Sequence, residues 1–361
     1  MVSMKKKVQK TASSKSLKKE DFVVFSSLLE QLLSMLPARS RTIVSARFGL
    51  SLDGEQQTLE EIGRLHRITR ERVRQIVISA LGFLSQEQEN PLFIQVKNRI
   101  FAVLEEKKGI IQTETLLHIL APSNKKEQGA LLIFIECLSS IKKEKATSER
   151  KSVYVTNDFV FPQWKLVKDK AKRILETSEQ VLDVDTLYDR FNEGGNAVSK
   201  QELMSFLAVA KEIEQNVFGK WGLSEWSDIK PRGTREKAYL VLKMTGKSLH
   251  FREIASLIDS YGLRSNKKNQ SHPQTVHNEL IKDDRFVLIG RGTYALSEWG
   301  YKKGTVKEVL EEILRNASKP LSREEVLTQI FKIRQVKKST VVINLNTYFH
   351  RAGKNLYSIK K

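Results

Sequence analysis

Seven consecutive residues, Thr69-Arg70-Glu71-Arg72-Val73-Arg74-Gln75, place one carboxylate, one amide and three guanidinium groups within two helical turns. These are the types that read base edges. Arg bridges guanine O6 and N7, Gln bridges adenine N6 and N7, and Glu accepts from cytosine N4. Thr69 fits an N-cap, and Val73, Ile76, Val77 and Ala80 recur on the opposite, apolar side. Upstream, Thr58 and Glu61 have capping-box spacing, and Leu59, Ile62 and Leu65 form an apolar face. His66-Arg67-Ile68 is a short break. Thr58 to Leu84 therefore reads as a helix-turn-helix whose second helix offers its first two turns to a major groove. On the charges alone, a solvated basic helix face explains the same run.

The elements that would position this pair precede it. Phe22 to Leu36 has an amphipathic pattern, with Phe25, Leu28, Leu29, Leu32 and Leu33 on one face. Pro37 opens a second helix that holds Ile43, Val44 and Phe48 and stops near Gly49. Leu36-Pro37-Ala38-Arg39, Arg47-Phe48-Gly49-Leu50, Thr58-Leu59-Glu60-Glu61-Ile62-Gly63 and Thr69 through Ile76 together resemble region four of the bacterial sigma-70 family. The resemblance implies a module that reads the promoter −35 element and rests on the β flap of RNA polymerase. By position it implies that Arg70, Glu71 and Gln75 face bases, and that Arg72 and Arg74 face bases or phosphates. Where that family continues with charged residues, Val77 to Leu84 is apolar here, which predicts that the helix end packs against the next domain.

Length and charge set the frame. The 361 residues allow two or more domains, and a formal net charge of +20 favours an anionic partner, nucleic acid first. No apolar run is long enough to span a bilayer, and the lysine-rich start has no apolar core of a secretory signal. The single cysteine, Cys137, fits a reducing compartment and lies in the apolar run Leu131 to Leu138, where it reads as a buried structural thiol. These features predict a cytoplasmic, nucleoid-associated protein with no membrane partner.

After Asn90-Pro91 the chain repeats itself with a period of about seventy residues. Segments from Val96, Val167, Thr234 and Val309 align so that Leu104/Ile111, Leu175/Leu182, Leu242/Leu249 and Leu314/Leu321 correspond. Leu116/Leu120, Leu187/Phe191, Ile254/Ile258 and Val326/Ile330 correspond next. Each repeat closes on a short strand with an aromatic: Tyr154, Trp221, Tyr294 and Tyr357. Three helices and a β hairpin make a winged helix. The sequence thus predicts a mainly α chain: a disordered basic tail at 1–20, a helix-turn-helix domain at 21–89, and winged-helix units with short β wings at 90–161, 162–230, 231–301 and 302–361. The third helices of the first two units, from Ala130 and Lys200, are too apolar for DNA readers and are expected to pack.

The third unit carries Gly246 to Ile258 and Thr275 to Gly300, with Gly290-Arg291-Gly292-Thr293-Tyr294-Ala295-Leu296 most specific. It resembles the HARE-HTH winged-helix family, which also occurs on the delta subunit of RNA polymerase and on some restriction enzymes. The fourth unit resembles it more weakly. Arg285 and Arg291 flanking the Gly-rich wing turn, and Lys337 and Lys338 before the last third helix, are the candidate phosphate contacts there.

Catalytic and metal chemistry is not legible. There is no phosphate-cradling GxxxxGK[ST], and none of His66, His118, His250, His272, His277 and His350 falls at zinc-ligand spacing. His272 and His277 read as facing solvent or DNA, His250 as structural, and Asp283-Asp284 as a turn. The expectation is a non-enzymatic, cofactor-free, DNA-binding transcription protein associated with RNA polymerase. No counterpart of the sigma family's core-binding and −10-melting region precedes Thr58, so a self-sufficient sigma factor is not expected. The rival readings are a delta-like polymerase accessory subunit whose winged helices bind protein, and a DNA-recognition component of a restriction system.

Overall fold

The computed structural model describes residues 24–360, apart from 52, 53, 123, 194, 196, 197, 265–269, 302, 303 and 335. The basic tail lies outside these residues. The chain forms two compact units, one running to Val167 and including Val198–Ala210, the other comprising Lys168–Ala197 and Lys211 onward.

In the first unit, α1 (Phe25–Leu33), α2 (Ala38–Phe48), α3 (Leu59–His66) and α4 (Arg70–Leu84) build the helix-turn-helix. Ile43, Ile62, Val73 and Val77 form its small core. Thr58 and Glu61 close a capping box, Glu61 Oε2 accepting from Thr58 N at 2.7 Å and Thr58 Oγ1 from Glu61 N at 3.2 Å. Helix α3 ends on Arg67 in the left-handed region (φ +52°), and Ile68 N then donates to Gly63 O. The turn is tight enough that a Cβ on Gly63 would lie 2.8 Å from Ile68 O. Leu65 departs from the sequence reading: it is 68% exposed. The buried side of α3 centres on Ile62 and Gly63, and at 100° per residue Leu65 is turned well away from that centre.

The first winged helix follows as α5 (Pro91–Glu106), β1 (Ile110–Gln112), α6 (Thr113–Leu120), α7 (Lys125–Cys137), β2 (Ile141–Glu144) and β3 (Val153–Thr156). Its sheet order is β1-β3-β2, all antiparallel. The third helix begins at Lys125, earlier than its apolar run suggested, because Asn124 caps it through Glu127 N. Helix α7 packs against α1, α2 and α4. Phe25, Leu29, Val44, Ala80 and Leu84 thereby share one hydrophobic core with Phe93, Ile100, Leu116, Phe134 and Tyr154. One side of the apolar end of α4, Ala80 and Leu84, is thus covered, as its composition predicted, while Ile78 and Phe83 on the other side stay exposed. Gly129 lies so close to α2 that a Cβ there would fall 2.0 Å from Phe48 O. Next comes α8 (Phe161–Ser178), which runs on into the second unit, then α9 (Val184–Asn192) and α10 (Lys200–Val209). Helix α10 packs on β1 of the first unit.

The second unit continues with β4 (Ile213–Gln215) and β5 (Trp221–Leu223). Then come α11 (Thr234–Thr245), β6 (Leu249–His250), α12 (Phe251–Ser260), α13 (Pro273–Ile281), β7 (Phe286–Gly290) and β8 (Thr293–Leu296). The last winged helix is α14 (Val306–Arg315), β9 (Leu321–Ser322), α15 (Arg323–Ile333), α16 (Lys338–Tyr348), β10 (His350–Gly353) and β11 (Leu356–Ser358). Both have three-stranded sheets, ordered β6-β8-β7 and β10-β11-β9. Each also has its own core, one around Leu242, Ile254, Val276 and Tyr294, the other around Leu310, Val326, Val341 and Tyr357. Every apolar position aligned across the four repeats is buried. The closing aromatics are strand partners of the same repeat position: Ile111 with Tyr154, Leu182 with Trp221, Leu249 with Tyr294, and Leu321 with Tyr357. The architecture is mainly helical, a helix-turn-helix followed by winged helices with short wings.

Candidate nucleic-acid interface

Thr69 caps α4, its Oγ1 accepting from Arg72 N at 3.1 Å, so the first turn begins at Arg70. Val73 and Val77 face inward, which leaves Arg70, Glu71, Arg72, Arg74 and Gln75 exposed along the first two turns. The structure brings these five onto one open surface. Four of them are paired with one another. Arg74 donates to both oxygens of Glu71, from Nε at 2.9 Å and Nη2 at 2.7 Å. Arg72 Nη1 donates to Gln75 Oε1 at 3.3 Å. Hydrogen bonding from Arg74 holds the Glu71 carboxyl below the usual carboxylate range and raises the Arg74 guanidinium above its own.

These positions fall within residues 32–85, which match the family model for sigma-70, region 4. Residues 233–299 match the model for the HARE-HTH domain, a helix-turn-helix whose description includes restriction endonucleases. The chain carries a sigma region-4-like module and a HARE-HTH-type module. The RNA polymerase sigma factor SigA1 of Synechococcus elongatus is 47% identical over 64 residues, 18% of this chain and 16% of that protein. SigA of Nostoc is 43% identical over 77 residues, 21% and 18% of the respective lengths. SigA of Microcystis aeruginosa is 42% identical over 79 residues, 22% and 17%. The chain spans about a sixth of the length of the curated relatives it matches.

In the HARE-HTH-type module, Arg291 is exposed in the turn between β7 and β8. Gly292 takes φ +70° there, and a Cβ on it would meet His250 Nε2 at 2.7 Å and Phe251 at 3.0 Å, so the wing tip admits only glycine. Arg285 does not flank this turn, contrary to the sequence reading. It precedes β7 at the opposite end of the strand, and its guanidinium is engaged inside the module. It donates to Asp283 at 2.6 and 3.1 Å and lies 5.1 Å over the Tyr239 ring. The Asp283 carboxyl is held low by that bonding. His277 also departs from the open, solvent-facing or DNA-facing position read from the sequence: its Nδ1 is 2.9 Å from the Tyr294 hydroxyl, and its ring stacks on Phe251 at 4.6 Å. His272 is exposed, and His250 caps α12 through Arg252 N at 3.3 Å. The open face of α13 is neutral: Gln274, Thr275 and Asn278. In the last winged helix, Lys337 and Lys338 are exposed at the start of α16, with Arg351 and Lys354 exposed on its wing.

The third helix of the first winged helix packs against the region-4-like module. Its leading lysines, Lys125 and Lys126, pair with Glu55 at 2.8 Å and Glu30 at 3.0 Å, both from the region-4-like module. Glu127 accepts from Ser26 N at 3.2 Å and from the Ser26 hydroxyl. Sequence reasoning identified α7 as a packing helix from its composition but had no signal for its partner. Cys137 on α7 is buried, its Sγ 3.6 Å from Leu81 O, and burial pushes its thiol up to about 12. Among the described residues no group of three His, Cys, Asp or Glu is placed to hold a metal, and no helix is long and apolar enough to cross a membrane.

Proposed function

We propose that this is a DNA-binding transcription protein, sigma-like and associated with RNA polymerase, that reads a promoter-type duplex element with the Thr69–Gln75 segment. The observation that carries it is the open face of α4, where Arg70, Glu71, Arg74 and Gln75 stand exposed on a capped helix seated by Val73 and Val77. Arg70, Glu71 and Gln75 serve as base readers, with Arg74 oriented by Glu71, and Arg72 serves a phosphate. Arg291 on one wing, and Lys337 and Lys338 at the last third helix, add sequence-independent phosphate contacts. Arg285 holds its own module together. The proposed polymerase contact is the β flap, as the sigma resemblance implies, and the proposed location is the cytoplasm, on the nucleoid.

One observation favours a second reading for the winged helices. Helix α7, in the reader position of its fold, packs against helices of its own chain, and winged helices as a class serve both roles. In that reading the chain is a polymerase accessory subunit of delta-like type. Binding selection on random duplexes, run with wild type and with Arg70→Ala and Gln75→Ala, separates the two. A selected motif that relaxes at one or two base pairs, at a cost of about 1–3 kcal/mol per variant, supports base reading. No motif, together with recovery of core RNA polymerase on purification from cells, leaves the accessory role.

A further inference from the structure

The first winged helix has its third helix buried and yet presents a basic wing. Strand β2 is one of the two edge strands of its sheet, and Lys142 and Lys143 on it are exposed. Successive strand residues point to opposite faces. Lys143 is opposite Tyr154 in the β2–β3 pairing and its Nζ lies 5.8 Å over that ring, whereas Lys142 is opposite Val155. Lys143 therefore lies on the face of the sheet turned toward the shared core, and Lys145, exposed, follows just beyond the end of β2. On this side Lys143 of the wing lines a groove that α4 also lines. Arg47, Arg74 and Ile78 of the region-4-like module line one groove with Leu132, Glu136 and Lys143 of the winged helix. The rest of the lining is uncharged, so Arg47, Arg74 and Lys143 are its cations and Glu136 its acid. Arg74 is thus shared between the open face of α4 and the groove that the wing closes.

From this juxtaposition we propose that the wing of the first winged helix extends the reading surface of α4, with Lys143 and Lys145 on phosphates flanking the element that α4 reads. The packing of α7 against α1, α2 and α4 is what fixes the wing beside α4. The winged helix has lost its own reader and acts as a bracket that carries a phosphate clamp. The inference rests on base reading by α4, and the occupant is the same DNA duplex.

The test uses the full chain with the duplex selected by wild type. The variants are Lys143→Gln with Lys145→Gln, and Lys142→Gln as the opposite-face control. The paired variant should bind more weakly, lower the log–log salt slope by about one unit per lost contact, and select the same motif. Ethylation interference should lose phosphates at the flank only. Lys142→Gln should leave the slope within error, because ionic strength screens a charge that makes no contact. An unchanged affinity and slope in the paired variant overturns the inference, whether or not polymerase association falls. An equal loss from Lys142→Gln also overturns it, since the effect would then be general charge. If wild type selects no motif, base reading itself has failed, which is a separate result.

Discussion

Glu71 and Arg74 form a two-pronged ion pair on the open face of α4, with both carboxylate oxygens engaged by one guanidinium at 2.7 and 2.9 Å. Both side chains are more than half exposed, so the pair contributes little to stability. Its consequence is orientation: the fork of Arg74 is fixed on a surface proposed to read bases. Glu71→Ala removes an acid from a surface facing phosphates and frees Arg74. Binding to random duplex should be equal or stronger, while preference at one or two base pairs falls by about 1–3 kcal/mol. Competition titrations with selected and scrambled duplexes check this. A parallel loss on both would assign Glu71 to folding.

Gly63 and Gly82, both in the helix-turn-helix, should respond oppositely to alanine. Gly63 has no room, with Ile68 O at 2.8 Å from a built Cβ, and the turn that sets α4 on α3 depends on that approach. Gly63→Ala should cost about 1–3 kcal/mol as overpacking. Gly82, late in α4, is exposed with nothing within 4 Å of its Cβ position. Gly82→Ala should stabilise by about 0.5–1 kcal/mol through helix propensity. Urea unfolding of the two variants decides it, and a stabilised Gly63→Ala would contradict the geometry.

What could be read from the sequence followed from period and caps. The recurrence of an aliphatic residue and a closing aromatic at fixed positions was visible in the repeat, their strand pairing was not, and Thr58 and Thr69 cap the helices their spacing implied. Properties that depend on a partner distant in sequence were not legible. Arg285 looked free beside a glycine turn, but Asp283, Tyr239 and Glu236 take it up. His277 gave no sign of Tyr294 opposite it. Leu65 fits an apolar period at i+3 from Ile62, yet α3 buries only a narrow stripe and ends one residue later. The apolar character of α7 announced burial, while the glycine at 129 that lets α2 approach carries no sequence signal of its own.

Cys137 offers a chemical check on the seam between α7 and α4. The buried thiol titrates near 12 rather than near 9, so it stays protonated in the native protein. Alkylation by iodoacetamide at pH 8 should be far slower than in urea, since the thiolate is the nucleophile. The sign for stability follows from the raised value. The contribution of the neutral thiol is complete below pH 9 and is lost as pH rises toward 12. Cys137→Ser should remove that alkaline component from a pH series of urea midpoints. Fast native alkylation would show the seam to be open.

The winged helices should differ in independence. Residues 231–301 enclose a complete core around Leu242, Ile254, Val276 and Tyr294, closed by their own sheet. That fragment should fold alone, with well-dispersed amide resonances. The fragment 91–161 should not. Helix α7 is buried nearly all round, at Ala130, Leu131, Ile133, Phe134, Ile135 and Cys137, because its winged helix covers one side and the helix-turn-helix the other. A helix apolar on every side needs both covers, and without α1, α2 and α4 the exposed face becomes an association surface. The expected outcome for 91–161 is oligomerisation in gel filtration and binding of an apolar dye. Fragment 24–230, which restores the helix-turn-helix and keeps α8, α9 and α10 together with β4 and β5, should run as a folded monomer. A monomeric, well-dispersed 91–161 would make the shared core a contact between two independent domains, and the placement of its wing beside α4 would lose its structural basis.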